Sequence, residues 1–177
     1  MSTSIVNIAQ VFRFLRRFAF RPAPSPRHRA LAWLKRGDFE RAEAELTALL
    51  VDEREGNART GPPRERAFLF NKRGVARVGM RRLDLARADF TAALECVGGY
   101  PPALTNLGNL LLEDGQLEAA IARYEAAIAA DPDYAIAYLN LGVAYKRAGR
   151  VGESVRALRR AQRIELPSFF SRRRRPS

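Results

Sequence analysis

Residues 101–134 read PPALTNLGNLLLEDGQLEAAIARYEAAIAADPDY, and related stretches lie on both sides of this one. Its central glycine, Gly108, has counterparts in Gly74 and Gly142, each 34 residues away. A strict period of this length is typical of stacked helical hairpins, because one hairpin cannot bury its apolar face alone and needs neighbours to cover it. The period therefore predicts an all-α repeat protein.

The residues around these glycines keep a common register. Four positions before each glycine lie Phe70, Leu104 and Tyr138, and three positions after it lie Arg77, Leu111 and Tyr145. Twelve positions after each glycine a small residue recurs, at Ala86, Ala120 and Ser154, and a large one follows four positions later, at Phe90, Tyr124 and Leu158. Spacings of three and four place residues on one face of a helix, so each unit is predicted to contain two helices.

The small residues and the turn residues have physical reasons for their positions. We expect each glycine and the small residue twelve positions later to lie where the two helices of a hairpin cross, since only short side chains allow that approach. Asp114-Gly115 and Ala148-Gly149 are predicted turns between helices. Asp131-Pro132 is predicted to end a second helix, because proline cannot continue it.

This pattern resembles the tetratricopeptide repeat family. Residues 101–134 carry it most completely, through Leu104, Leu107, Gly108, Leu111, Gly115, Ala120, Tyr124, Ala127 and Pro132. Residues 135–166 match through Tyr138, Leu141, Gly142, Tyr145, Gly149, Leu158 and Ala161, and residues 67–100 match except that Arg81 replaces the turn glycine. A weaker copy over 26–51 contains Trp33, Gly37, Phe39, Ala42, Leu46 and Leu49, with Ala30 in place of the crossing glycine.

The resemblance implies a right-handed superhelix of about four such hairpins. We expect the repeat domain to span 26–166, with repeats at 26–51, 67–100, 101–134 and 135–166. Residues 52–63 are predicted to be a loop insertion, since their glycines, charges and proline pair fit neither helix. Residues 1–25 are predicted to form a basic amphipathic helix and a proline-rich connector, and residues 167–177 a basic tail.

In this family the first helices line a concave groove that commonly receives a peptide or a helix of a partner. The polar residues that the resemblance places there are Asn71, Lys72, Asn106, Asn109, Asn140, Lys146 and Arg147. Of these, we expect the side chains of Asn106 and Asn140 to face solvent. Asparagine amides can bond a peptide backbone, and Lys146 with Arg147 can hold a carboxylate. Alternatively, Asn106 and Asn140 simply follow the common repeat pattern. Val75 and Ile136 fit poorly with the family's carboxylate clamp for chaperone tails.

The chain offers few residues for catalysis. His28 is the only histidine and Cys96 the only cysteine, the carboxylates show no paired motif, and there is no phosphate-binding glycine loop. His28 lies in the segment RPAPSPRHR, where we expect nothing to orient it, and Cys96 is expected to be buried. We therefore predict no catalytic residue, no metal site and no cofactor. The expected function is that of a non-enzymatic adaptor for protein partners.

The formal net charge of +12 comes largely from the two ends of the chain. Near the C-terminus, Arg156, Arg160 and Arg163 lie at helical spacing and predict a basic ridge, which either binds an anionic partner or merely keeps the last repeat polar. The absence of interleaved aromatic residues argues against specific nucleic-acid binding. No apolar run is long enough to cross a membrane, so we expect a cytoplasmic protein, at most peripheral to a membrane.

The N-terminal segment SIVNIAQVFRFLRRFAFR is predicted to be an amphipathic helix. It could cap the first repeat, lie in an anionic membrane interface, or dock on a partner. The residues predicted to attach the protein to such a surface are Phe12, Arg13, Leu15, Arg17, Phe18, Arg172, Arg173, Arg174 and Arg175. The alternative function is thus assembly or anchoring of a membrane-associated complex. The lack of acidic residues also resembles mitochondrial targeting, which the sequence leaves open.

Overall fold

The computed structural model of the protein describes residues 23–52 and 62–172. Within these residues the fold consists of eight α-helices: α1 (Pro26–Arg36), α2 (Phe39–Asp52), α3 (Pro63–Gly79), α4 (Leu83–Cys96), α5 (Pro101–Glu113), α6 (Leu117–Ala130), α7 (Ala135–Arg147) and α8 (Val151–Arg172). Consecutive helices pack in pairs, and the second helix of each pair packs against the first helix of the next. The all-α fold of four stacked hairpins predicted from the repeat is confirmed.

The helix bounds correct two predicted segments. Asp52 still belongs to α2, and Pro63 begins α3 with Pro62 before it, so the proline pair starts a helix and does not merely interrupt one. Proline is well suited to the first turn of a helix, where its missing N–H has no intrahelical partner to lose. The rest of the predicted loop, 53–61, lies outside the described residues. At the other end α8 continues to Arg172, past the predicted domain end at 166.

The turns between paired helices repeat one backbone conformation. Gly37, Gly115 and Gly149 have φ angles of 79°, 77° and 74°, in the left-handed region that glycine adopts without steric cost. The predicted turns at Gly115 and Gly149 are therefore confirmed. Arg81 occupies the same place between α3 and α4 with φ of 59°, the one non-glycine residue with positive φ in the described chain.

The crossing glycines make room for the large residue sixteen positions later. A Cβ atom at Gly74 would lie 2.5 Å from Cε1 of Phe90, one at Gly108 would lie 2.6 Å from Cε1 of Tyr124, and one at Gly142 would lie 2.7 Å from Cγ of Leu158. The small residue twelve positions later also approaches closely, since Oγ of Ser154 donates to the carbonyl oxygen of Gly142 at 2.7 Å. In the first hairpin Ala30 and Leu46 are both fully buried, so there the crossing accommodates a methyl group.

The core of the described chain consists of four clusters of buried side chains between the packed helices. It is built largely of alanine at the crossings, with Phe90 and Tyr124 as its largest fully buried side chains. Small residues let the helices approach, and the two rings fill the space that remains. Within 23–52 and 62–172, none of the helices has the length and apolar character that crossing a membrane would require.

Candidate partner-binding groove

The first helices of the last three hairpins lie side by side. Helix α5 contacts both α3 and α7, whereas the second helices α4, α6 and α8 make no comparable contact with one another in the described residues. Arg147 at the end of α7 also donates from Nη1 to the carbonyl oxygen of Leu112 in α5 at 3.3 Å. A stack in which first helices contact one another across repeats, while second helices do not contact one another, is curved toward the first helices, so their exposed side lines the inner surface.

The predicted groove residues differ in how far they reach this surface. Asn71 is buried, with 3% of its surface exposed, so its side chain is not available to a partner. Lys72, Asn106, Asn109 and Asn140 are half-buried. Lys146 and Arg147 are exposed. The accessible polar part of the groove is therefore made of three half-buried amides with cationic side chains at either end.

The asparagines bond to one another between repeats. Nδ2 of Asn106 in α5 donates to Oδ1 of Asn71 in α3 at 2.9 Å, and Nδ2 of Asn140 in α7 donates to Oδ1 of Asn109 in α5, also at 2.9 Å. The expectation that the amides of Asn106 and Asn140 face solvent freely is wrong. Each holds adjacent first helices together, because a half-buried amide that lost this partner would be left unsatisfied.

Asn109 also accepts a bond from within its own hairpin. Oη of Tyr124, a fully buried ring, donates to Oδ1 of Asn109 at 2.9 Å. Burial raises the pKa of Tyr124 to about 12, because ionisation would place a charge in the core. In the preceding hairpin the equivalent residues are Phe90 and Val75, an apolar pair with no hydroxyl to satisfy.

Aromatic and cationic side chains meet at the N-terminal end of the groove. Nζ of Lys72 lies 5.4 Å from the ring centroid of Phe68, and the guanidinium carbon of Arg27 lies 4.4 Å from the same centroid. Arg27 also pairs with Glu65, Nη1 to Oε1, at 3.1 Å. Two cations thus lie within about 6 Å of the ring of Phe68, a distance at which the negative face of an aromatic ring attracts them.

A network of ion pairs that the sequence analysis missed joins the first two hairpins. Arg73 binds Asp89 through two nitrogens, at 2.7 and 3.0 Å, and Nη1 of Arg77 lies 2.9 Å from the same carboxylate. Nε of Arg77 also donates to Oε1 of Glu43 in α2 at 2.8 Å. Asp89 is 2% exposed, so its charge depends on these two arginines.

A spacing in the sequence could have revealed this network. Arg73 and Asp89 are sixteen residues apart, and Arg29 and Glu45 in the first hairpin form a bidentate pair at the same spacing, with both distances 2.9 Å. In the fourth hairpin the corresponding positions hold Leu141 and Ala157. Opposite charges that replace an apolar pair in one register of a repeat indicate a salt bridge between the paired helices.

His28 and Cys96, which are predicted to have no catalytic role, both lie within the described residues. His28 is exposed in the first turn of α1, and its Nδ1 lies 2.7 Å from Oγ of Ser25, which also accepts the backbone N–H of His28 at 3.3 Å. The expectation that nothing orients this ring is therefore wrong. Cys96 is half-buried at the end of α4 as a free thiol. No group of three potential metal-binding side chains occurs in the part of the chain that the structure describes.

None of the side chains predicted to attach the protein to a membrane or a partner is among those that the structure describes. Phe12, Arg13, Leu15, Arg17 and Phe18 lie outside the described residues, as do Arg173, Arg174 and Arg175. For Arg172 the backbone is described as the last residue of α8, but its side chain is not. The amphipathic helix and the attachment surfaces remain predictions from the sequence.

Comparison with known proteins agrees with this geometry. A family model for the TPR repeat matches residues 108–149, and one for the tetratricopeptide repeat matches residues 135–166. Among solved structures, MamA is 22% identical, with 78% of this chain and 75% of that chain covered and a TM-score of 0.61. MamA from Desulfovibrio magneticus RS-1, residues 41 to the end, is 24% identical, with 80% and 74% covered and a TM-score of 0.57.

A third solved structure is YrrB, described as a TPR protein with an unusual peptide-binding site. It is 22% identical, with 77% of this chain and 66% of that chain covered and a TM-score of 0.57. At such identities the likeness shows a common fold. The family models match the last repeats directly, and the hairpins before them keep the same register and crossing geometry. Residues 108–166 are therefore tetratricopeptide repeats, and the hairpins before them share their fold.

Proposed function

We propose that this protein is a non-enzymatic adaptor that binds a segment of a partner protein along the inner surface formed by α3, α5 and α7. Tetratricopeptide repeats serve as scaffolds for protein–protein interaction, and YrrB, which shares the fold, is described as having a peptide-binding site. The observation that carries the proposal is the side-by-side placement of the three first helices, which leaves one uninterrupted surface for an elongated ligand.

The charges of this surface favour a partner with carboxylates. Lys146 is exposed and has no ion pair in the described residues, and the exposed Arg147 bonds only to a backbone carbonyl there. Lys72 contributes a third cation beside Phe68. The half-buried amides of Asn106 and Asn140 each keep a second N–H that a peptide carbonyl can accept from. The groove is thus suited to a peptide backbone at its centre and to acidic side chains at its ends.

Site-specific photocrosslinking in the native cell tests this proposal. A photoreactive amino acid is placed singly at Lys72 or Lys146 in the groove, and at Ala122 or Arg123, which are exposed on α6, as matched controls. These positions avoid the asparagines, whose replacement would also remove bonds between repeats. We expect a discrete crosslinked partner from the groove positions and none from α6.

Two further results decide whether the contact is specific. Lys146→Glu should weaken recovery of that partner by roughly tenfold, because it reverses the charge that meets the partner's carboxylate. Arg123→Glu, an equal change of charge on the outer side, should leave recovery unchanged. Equal crosslinking from both sides of the molecule would contradict groove binding.

A further inference from the structure

The last hairpin exposes an unusual amount of apolar surface. Of the eight large apolar side chains that are exposed in the described residues, six belong to α7 and α8, namely Ile136, Leu139, Val143, Val151, Val155 and Leu158. These six residues are called the end face. Val151 is 63% exposed and Ile136 50%, which is atypical of a surface that only meets water.

The equivalent surface of the preceding hairpin is covered by a helix. Leu139, Val155 and Leu158 correspond, 34 residues earlier, to Thr105, Ile121 and Tyr124, which are 2%, 5% and 0% exposed. Helix α7 covers this surface of the third hairpin, and its Leu141, Ala144 and Tyr145 share one core cluster with Ile121 and Tyr124. No helix of the described residues covers the end face, which is therefore an open inter-repeat surface within 23–52 and 62–172, and a helix is the shape that fits it.

The rim of the end face is basic. Residues 135–165 contain seven basic and two acidic residues, and Arg156, Arg159 and Arg163 of α8 are exposed. Arg159 takes the place of Glu125, whose Oε1 accepts a bond from Oη of Tyr145 in the covering helix at 2.8 Å. A helix that covers the end face as α7 covers the third hairpin would bring its residue equivalent to Tyr145 against Arg159, where an acidic side chain is favoured.

We propose that the end face binds an amphipathic helix of a partner protein, with small and apolar residues on one side and acidic residues at its edge. A second copy of this chain fits less well. Two end faces would bring their arginines together, and head-to-tail stacking would present α1, which has Arg27, Lys35 and Arg36 exposed and no acidic residue. Charge complementarity therefore selects a different, acidic protein. The end face borders the groove along α7, whereas its α8 residues lie outside the groove.

The test uses the full chain and two labelled peptides. Both carry the 13-residue α7 sequence AIAYLNLGVAYKR with blocked ends, the helix that covers the equivalent surface one repeat earlier. One contains Tyr145→Glu, Lys146→Glu and Arg147→Glu, and its control contains Tyr145→Lys, Lys146 and Arg147→Lys. Lysine near a helix C-terminus favours helix formation, so helicity alone would favour the control. We expect the glutamate peptide to bind about tenfold tighter by fluorescence anisotropy, with the difference shrinking as salt is raised.

Two protein variants locate the binding. Val155→Glu should weaken binding of the glutamate peptide by about tenfold or more, because it places a charge like that of the peptide among the apolar residues of the end face. Leu85→Glu is the matched control. Leu85 is 48% exposed on α4, outside the end face, and the equivalent position of α8 already holds a glutamate, Glu153. Circular dichroism verifies folding, and Val151→Glu at the most exposed position serves if Val155→Glu unfolds.

Three results would overturn the proposal: binding of neither peptide, equal binding of both peptides, and equal binding of the glutamate peptide to the Val155→Glu and Leu85→Glu proteins. Where neither peptide binds, a different occupant is assigned if Val155→Glu abolishes self-association in sedimentation velocity or abolishes cosedimentation with phosphatidylserine vesicles. The proposal is supported if the Val155→Glu protein loses binding of the glutamate peptide and the Leu85→Glu protein keeps it.

Discussion

Arg81 shows the cost of a single residue that departs from the repeat. Its φ of 59° places it where Gly37, Gly115 and Gly149 stand in the other hairpins. A residue with a Cβ atom is less stable in this left-handed region by about 1–2 kcal/mol, and glycine loses part of that advantage through its greater freedom in the unfolded chain. The turn forms because the helices on either side hold it in place.

We therefore expect Arg81→Gly to stabilise the protein by about 0.5–1 kcal/mol. The converse change, Gly149→Arg, should destabilise it by about 1 kcal/mol or more, since it introduces the same strain into an unstrained turn. Urea unfolding of both variants and of the parent protein measures the two differences. If Arg81→Gly lowered the stability, the arginine side chain would have to contribute more than its backbone costs.

Tyr124 makes the stability of the protein sensitive to alkaline pH. Its pKa is raised to about 12 by burial, whereas in the unfolded chain tyrosine ionises near its ordinary value of 10. Below pH 10 the ring is neutral in both states and its contribution to stability is complete. Between about pH 10 and 12 only the unfolded chain ionises, so the free energy of unfolding falls, by about 2 kcal/mol from this residue.

Tyr124→Phe should reduce that loss while costing about 1 kcal/mol at neutral pH, where it removes the bond to Asn109. Part of the alkaline slope should remain, because burial also raises the pKa values of Tyr100 and Tyr134. Tyr138→Phe, at a half-buried tyrosine, is the control. The measurement is urea unfolding at several pH values, and an unchanged slope in Tyr124→Phe would contradict this role.

At the scale of the elements, the hairpins are alike in shape but unlike in what joins their helices. The first two use Arg29 with Glu45 and Arg73 with Asp89, whereas the fourth has Leu141 and Ala157 in the same register. The second pair is largely buried and is shared with Arg77, which reaches Glu43 in the preceding hairpin. The ion pairs thus connect hairpins as well as helices, and their removal is costly because it strands a buried charge.

We expect Asp89→Ala to destabilise the protein by about 3 kcal/mol, since it leaves the largely buried Arg73 without a carboxylate and Arg77 with Glu43 alone. The double change Arg73→Leu with Asp89→Ala, which copies the fourth hairpin, should be less damaging than Asp89→Ala alone. Asp114→Asn, which breaks the exposed pair with Arg87, should cost less than about 1 kcal/mol. Denaturant unfolding ranks the three variants, and equal losses for Asp89→Ala and Asp114→Asn would contradict the role of burial.

For the whole molecule, the stack leaves two surfaces of different chemistry. The inner surface of the first helices is largely polar, with amides that already bond between repeats. The end face is apolar and has an arginine rim. Both surfaces follow from the one-dimensional arrangement of repeats, in which a hairpin is covered only by its neighbours and the fourth has a neighbour on one side only within the described residues.

The N-terminal segment gives a prediction for the full chain that rests on the sequence. Deleting residues 1–21 should release the protein from its membrane or complex, because Phe12, Leu15 and Phe18 are predicted to supply apolar attachment and the arginines an attraction that weakens with salt. The melting temperature should change little. Cell fractionation and thermal unfolding of the deletion variant test both statements, and a collapsed melting temperature would identify the segment as a cap of the first repeat.

The sequence by itself was sufficient to predict the hairpins. Gly74, Gly108 and Gly142 mark a 34-residue period, and apolar residues at helical spacing around them predict two helices per repeat. The turn glycines Gly115 and Gly149 were also predictable, because a left-handed backbone strongly favours one residue type. Such features are local or periodic, so they can be recognised without knowing which repeat covers which.

Only the tertiary structure decided which polar residues are accessible at the groove and which face another repeat. Asn71 and Asn106 both match groove positions of the family, yet one is buried and the other donates to it. Leu139 and Thr105 hold the same place in consecutive repeats, yet one is exposed and the other is covered. The physical reason is that burial in a stack depends on the next hairpin, and the sequence of a single repeat does not contain that information.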